Sequence, residues 1–460
     1  MTDIQHLGLA EPVPPKAVRR ARGRELRADL PRGTHAGWEP PAERLDPVSA
    51  LRRSNAGRVP ELLEIRVGRM AASPFNLLRA SPDVMAADLA HTPSTGLDVW
   101  LCGDANLSNF GFYASPERDL VFDINDFDES IAGPWEWDLK RLAVSLVVAG
   151  RERGLHAKDN RAAATAAVAQ YRHTMRRRGD HTLLELFTLR LDGKEYDQGL
   201  FSKSFNAELR RSRRNATART NDPGLKRFTV SEQDGSWRFE EQAPLLVRGT
   251  DEQRAEILAA LETYTDGLLA DRRDLIRSYH LVDVAFKVTG VGSVGTRSWV
   301  AALQGGAPDD ALFLQIQQAG ESALAPFVEP QPYAHPGQRV VDGQRRIQSV
   351  SDPFLGWTSF GGHDYYVRQL RDMKGAVDPT RLSAEQLHDY ARVCGGLLAK
   401  AHARTGDPVA IAGYCGNSDS LDRAIADFAQ AYADQNHEDW KAVKAAIEDG
   451  RLSADTRHNG

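Results

Sequence analysis

One segment constrains this chain more than any other: Leu101 to Leu142, LCGDANLSNFGFYASPERDLVFDINDFDESIAGPWEWDLKRL. A short apolar strand, Asp98 to Leu101, leads into Gly103-Asp104, and Asn109 follows five residues after the aspartate. A second apolar run, Leu120 to Ile124, then delivers Asp123, Asp126 and Asp128 ahead of Gly133-Pro134 and a helix. Strands, a turn and a helix in so short a span imply an α+β domain with carboxylates gathered at strand ends. Phosphoryl transfer uses such a set: one carboxylate orients the attacking hydroxyl, while an amide and a second carboxylate hold Mg²⁺ on the phosphates. An acidic surface loop is the plain alternative, since Asp-x4-Asn alone arises often by chance. The reading rests on the block as a whole.

The block resembles the catalytic segment of the aminoglycoside-phosphotransferase branch of the protein-kinase-like superfamily, matched at Gly103-Asp104, Asn109, Asp126-Phe127, Gly133-Pro134 and Asp138-Leu139. The resemblance implies ATP and Mg as cofactors, Asp104 as catalytic base or orienter, and Asn109 and Asp126 as metal ligands. Asp126 is preferred to Asp123 because its distance to Gly133 suits that family. Cys102 departs from the pattern, since relatives often have His there. More closely, RMAASPF (Arg69 to Phe75), NDFDES, GVGSVGTR (Gly290 to Arg297), DPFLGW (Asp352 to Trp357), VRQLRDMKG (Val367 to Gly375) and AHARTGD (Ala401 to Asp407) are similar to the bacterial family called domain of unknown function 2252, over roughly residues 50 to 445. Asn106 stands where that family has His.

Gly290, Gly292 and Gly295 form GxGxxG between two strand-type sequences, not ahead of a helix. That context suits a phosphate-covering loop, whose glycines let backbone N–H groups approach phosphate oxygens; a tight hairpin is the simpler alternative. The next strand should carry a lysine for the phosphates, yet Gln317 stands there, with Asp342 as the candidate acidic partner on the following helix. Another cation would have to substitute: Lys287, Arg297, Arg368 and Lys374 are available, and Arg297 and Lys374 are preferred because one follows the glycine loop and the other the hinge strand. In a kinase-like chain the glycine loop precedes the catalytic loop. Here it follows, and a circular permutation reconciles the order.

The sequence therefore predicts a two-lobed, circularly permuted protein-kinase-like fold with a mainly helical lobe and a small antiparallel β lobe. The expected division is a flexible leader over 1–45, a helical lobe over 46–280, a glycine-loop β lobe over 281–376, and C-terminal helices over 377–460. Helices are expected near 60–72, 74–90, 157–178, 252–279, 337–350 and 418–449. Ser383 and Gln386 make a capping box for another helix, with Leu387, Tyr390, Ala391, Cys394, Leu398 and Ala401 on its apolar face. His402 near that helix end reads as a packing or loop-anchoring residue, and Trp135, Trp137 and Trp357 as core.

Composition narrows the function classes. At 41% hydrophobic and 26% charged, the 460 residues are globular. The longest apolar stretch, Leu142 to Gly150, is far short of the roughly 20 residues that span a bilayer, and no secretory signal is evident. Cys102, Cys394 and Cys415 lack CxxC spacing, which argues against a disulfide framework or zinc site. A cytoplasmic protein is expected. Net charge of −5 and the absence of interleaved aromatics argue against nucleic acid as the partner of Arg176–Arg178 or of the run from Arg210 to Arg219. Expected partners are a nucleotide and a small-molecule substrate. The alternatives are a nucleotide-binding pseudokinase, favoured by Gln317, and an adenylyl-transferring regulator. A hydrolase using Asp123, Asp126 and Asp128 lacks the expected histidines.

Overall fold

The computed structural model describes residues 13–189, 201–218, 228–231, 237–288, 290–307, 309–370 and 373–457. About 53% is helix, and all strand pairings are antiparallel. In the block that carries Asp104 and Asp126, β1 (Asp98–Leu101) pairs with β4 (Ile131–Pro134), while β2 (Phe110–Ala114) pairs with β3 (Leu120–Ile124). β5 (Thr229–Ser231) and β6 (Trp237–Phe239) pair as a separate two-stranded sheet. The main sheet contains β7 (Leu246–Arg248), β8 (His280–Lys287), β9 (Ser298–Gln304), β10 (Ala311–Gln318), β11 (Gly356–Phe360) and β12 (His363–Gln369), in the order β11-β12-β10-β9-β8-β7. A short strand, β13 (Gly375–Ala376), leaves that sheet and pairs with β2, tying the two strand systems together.

The principal helices are α1 (Lys16–Asp29), α2 (Leu63–Ala71), α3 (Trp135–Glu152), α4 (Ala157–Arg178), α5 (Asp251–Asp266), α6 (Pro336–Ile347), α7 (Ala384–Thr405), α8 (Pro408–Cys415) and α9 (Ser420–Glu448). Helix α3 begins after Pro134 with Glu136 and Asp138 in its first turn, where carboxylates complement the helix dipole. It is buried from Trp135 to Gly150 against α4, α7 and α9. Each fully buried leucine or valine of that core, such as Leu139, Leu142 and Val147, contributes about 1.5–3 kcal/mol over an exposed one. The expected capping box of α7 forms, and its predicted apolar face is buried. Trp135 and Trp137 are core residues; Trp357 is partly buried against the same cluster.

Two expected boundaries are corrected. Residues 16–45 are not a flexible leader, for α1 packs on α8 so closely that a Cβ on Gly23 would lie 1.9 Å from the Ala410 carbonyl oxygen. Arg19 pairs with Asp407 at 3.0 Å, and His35 meets the Tyr414 hydroxyl at 2.8 Å. The helical lobe also ends well before 280: Ile257, Leu261 and Tyr264 of α5 bury against one side of the main sheet, and Trp237 and Phe239 against the other.

Candidate active site

Strand β1 runs into the turn Cys102–Gly103–Asp104, where Gly103 has φ 82° and an added Cβ would lie 2.2 Å from the Glu129 carbonyl oxygen. Only glycine fits there. The turn is held from behind by Asp138 on α3, whose carboxylate accepts from the Cys102 N–H at 2.8 Å and the Gly103 N–H at 3.0 Å. His402 Nε2 meets the same carboxylate at 3.2 Å, and its Nδ1 meets the Tyr171 hydroxyl at 2.9 Å. All of these groups are buried, so His402 is a loop anchor, as expected.

Asp104 is oriented by two neighbours: Arg141 Nε donates to its carboxylate at 2.6 Å and Asn109 Nδ2 at 3.1 Å. The same Asn109 nitrogen donates to the Asp104 carbonyl at 2.8 Å. Its amide hydrogens are therefore committed, which leaves Oδ1 as the atom able to ligate a cation. Arg141 carries no motif of its own. Its placement one turn after Asp138 on α3 is the only signal that could have found it.

The three aspartates of the acidic cluster separate. Asp123 is buried in an ion pair with Lys400, which also donates to the Ser349 hydroxyl at 2.9 Å, so it is structural. Asp126 and Asp128 instead line one cavity with Asp104 and Asn109. Burial first, and the Asp128 charge second, push the Asp126 carboxyl up to about 7. Burial also raises Asp128, opposed chiefly by Arg368, and Asp128 Oδ1 has no hydrogen-bond partner. Two carboxylates disfavoured as anions, with an orphaned oxygen between them, are chemically suited to a cation.

The same cavity, of about 260 Å³, is closed by Gly290 and Gly292 of the glycine turn and by Gln317. The turn joins two strands, as expected, and is pinned by its carbonyls: Arg69 donates to Gly290 O at 2.7 Å, and Arg58 to Gly292 O at 2.9 Å and Val294 O at 2.7 Å. Gly295 turns away, its carbonyl accepting from Val59 N–H at 2.8 Å. Gln317 Nε2 donates to the Thr296 hydroxyl at 2.7 Å.

Of the four available cations, Arg368 lines the cavity and Lys287, Arg297 and Lys374 do not. Arg297 is outside the cavity lining and donates to Gly57 O at 3.1 Å, while Lys374 donates to Gln369 O at 3.1 Å. Lys287 lies over the Phe228 ring, and Asp342 sits by Tyr333 and Arg346 instead of Gln317. The cavity's cations are Arg58, Arg79 and Arg368. Arg368 Nε donates to Gln315 Oε1 at 3.1 Å, and Asp104 and Asp126 are the charges that most favour the Arg79 cation. Arg58 and Arg79 come from segments before the catalytic block, where sequence gave no signal.

The strand register explains the cavity's polarity. Gln317 pairs with Ser298 and Tyr366, Gln315 with Val300 and Arg368, and Phe313 with Ala302, so these residues share one face of the sheet. The polar end of that face lines the cavity, and its apolar end is packed beneath Trp237 and Phe239.

Among the described residues, no three His, Cys, Asp or Glu side chains converge as a preformed metal centre. Asp126 and Asn109, with Asp128 beside them, nevertheless fit a hard cation that completes its shell with water and phosphate oxygens. Among the described residues no helix is long and apolar enough to cross a membrane. No curated protein and no solved structure matches the chain. A family model does match over residues 58–446, and the chain belongs to the family described as uncharacterized protein conserved in bacteria, domain of unknown function 2252.

Proposed function

We propose that the protein is an ATP- and Mg²⁺-dependent phosphotransferase acting on a small molecule, built as a circularly permuted, two-lobed kinase-like fold. One observation carries the reading: Asp104, Asn109 and Asp126 share a cavity with Gly290, Gly292 and Gln317, from segments far apart in the sequence. Asp104, fixed by Arg141 and Asn109, orients the substrate hydroxyl and takes its proton. Asp126 and the Asn109 carbonyl oxygen hold the cation, and Arg368 and Arg79 supply the positive field that Gln317 does not. The bound metal would screen charge on the transferring phosphoryl group.

A second reading, a nucleotide-binding pseudokinase, is favoured by Gln317. Wild type, Asp104→Ala and Asp126→Ala incubated with Mg²⁺ and γ- or α-labelled ATP in a metabolite extract separate the possibilities. Transfer of γ label lost in Asp104→Ala, with Mg²⁺-ATP binding lost in Asp126→Ala, is the expected result. Undiminished transfer in Asp104→Ala overturns the catalytic assignment. Binding without transfer in wild type favours the pseudokinase, and transfer of α label favours adenylyl chemistry.

A further inference from the structure

A second concave site lies at the C-terminal end of α8, away from the motifs that carry the proposed activity. Helix α1 brings Arg20, Arg24 and Arg27 to it, and Arg32 follows on the next turn. Helix α4 brings His173, Arg176 and Arg177, which places one of the two basic stretches of the sequence opposite the N-terminal helix. The pocket has a volume of about 630 Å³, and Asp180 is the single acidic residue in its lining. The chain as a whole carries −5, so this charge is local and not a property of the surface.

Helix capping accounts for only part of it. Arg27 donates to the Gly413 carbonyl and, at 2.9 Å, to Tyr414 O, while Arg32 Nη1 donates to Cys415 O at 2.6 Å. Arg20 reaches Asp180 at 3.3 Å with both side chains exposed, a weak pair. Arg24, Arg176 and Arg177 have no acidic partner among the described residues. The cations also disfavour one another: Arg27 is lowered by burial and then by Arg32, and His173 by burial and then by Arg177 and Arg176. An anion between them would relieve that repulsion. The lining holds no Phe, Tyr or Trp and nothing apolar larger than alanine, so it selects charge and not an acyl chain. Guanidinium forks from two facing helices match the oxygens of linked phosphates.

We propose that this pocket binds a free, multiply charged oligophosphate group, bridged by Arg24 of α1 and by Arg176 and Arg177 of α4 over a floor set by Arg27 and Arg32. The proposal is independent of the cleft chemistry. The probe is inorganic triphosphate titrated calorimetrically into the full chain with EDTA present, so that no divalent cation supports binding in the cleft. Saturable binding is expected, weakened roughly tenfold or more in Arg176→Gln/Arg177→Gln and in Arg24→Gln, since each change removes charge-assisted hydrogen bonds, and retained in Asp126→Asn. The three arginines are exposed, so thermal melts should match wild type. If the double variant melts early, Arg24→Gln alone decides. Equal affinity in the arginine variants, or loss of binding in Asp126→Asn, overturns the proposal. So does association with anionic lipid vesicles when triphosphate itself is not bound.

Discussion

Asp138 offers the sharpest test of how the catalytic turn is held. Its buried carboxylate satisfies three donors at once: the Cys102 and Gly103 amides and His402 Nε2. Replacement by alanine leaves all three in a space that excludes water. Each orphaned donor costs about 1–3 kcal/mol, so Asp138→Ala should lose about 3–9 kcal/mol, a large part of the 5–15 kcal/mol of a typical domain. Asp138→Asn keeps the volume but turns an N–H₂ toward one of the donors, so about 1–3 kcal/mol is expected. Urea unfolding followed by fluorescence would read both, as a fall in midpoint with unchanged slope. The asparagine variant should remain folded and still bind Mg²⁺-ATP, yet transfer phosphate poorly, because the turn that aims Asp104 has lost an anchor. A midpoint for Asp138→Ala within 0.5 kcal/mol of wild type, the size expected of a surface change, would refute this reasoning.

Gly103→Ala should destabilise by about 2–4 kcal/mol through its left-handed φ and the Glu129 contact; an unchanged melting temperature would show that the turn relaxes freely. His35 is buried, and burial first and Lys140 second hold its pKa at about 3. Only the unfolded chain takes that proton below about pH 6.5, so stability is intact above that pH and falls by about 3–5 kcal/mol on acidification toward 3. His35→Gln should flatten the curve, and parallel wild-type and variant curves would show that the residue does not drive it. Lys400→Met should cost about 3–5 kcal/mol by stranding Asp123, and Asp123→Asn in the same chain should recover most of it. No recovery would mean that the lysine stabilises by packing alone.

The sequence carried the site where chemistry is local. Gly103, Asp104, Asn109 and Asp126 sit in one block, and strand–glycine–strand patterning marked the turn that faces them. Side chains that reach across the fold left no such trace: Arg58 and Arg79 enter the cleft from helices and turns whose own sequences are ordinary, and Arg368 lines it where Arg297 or Lys374 was preferred. Helix α1 was missed for a related reason. Gly23 is its only buried residue, so it has no apolar stripe to read, and arginine contacts to α8 backbone carbonyls and Asp407 help hold it. Helix α5 falls within the helix expected near 252–279, yet a helical pattern does not say which core receives the apolar face. Only strand register assigned it to the sheet.

The antiparallel contact of β13 with β2, and the pairing of Lys400 with Asp123 and His402 with Asp138, give the cleft a timetable. A chain made from its N-terminus exposes Asp104, Asp123 and Asp126 early, while the glycine turn, β13 and α7 emerge much later. Until α7 is available, Asp123 and Asp138 have lost their basic partners and have no reason to leave water. Contacts of such sequence separation form slowly, because loop closure must precede them. The turn that carries Asp104 therefore sets only after α7 has been made, and a chain that lacks α7 displays unpaired strand edges and apolar helix faces in the meantime. Assembly of this cleft is coupled to the arrival of α7.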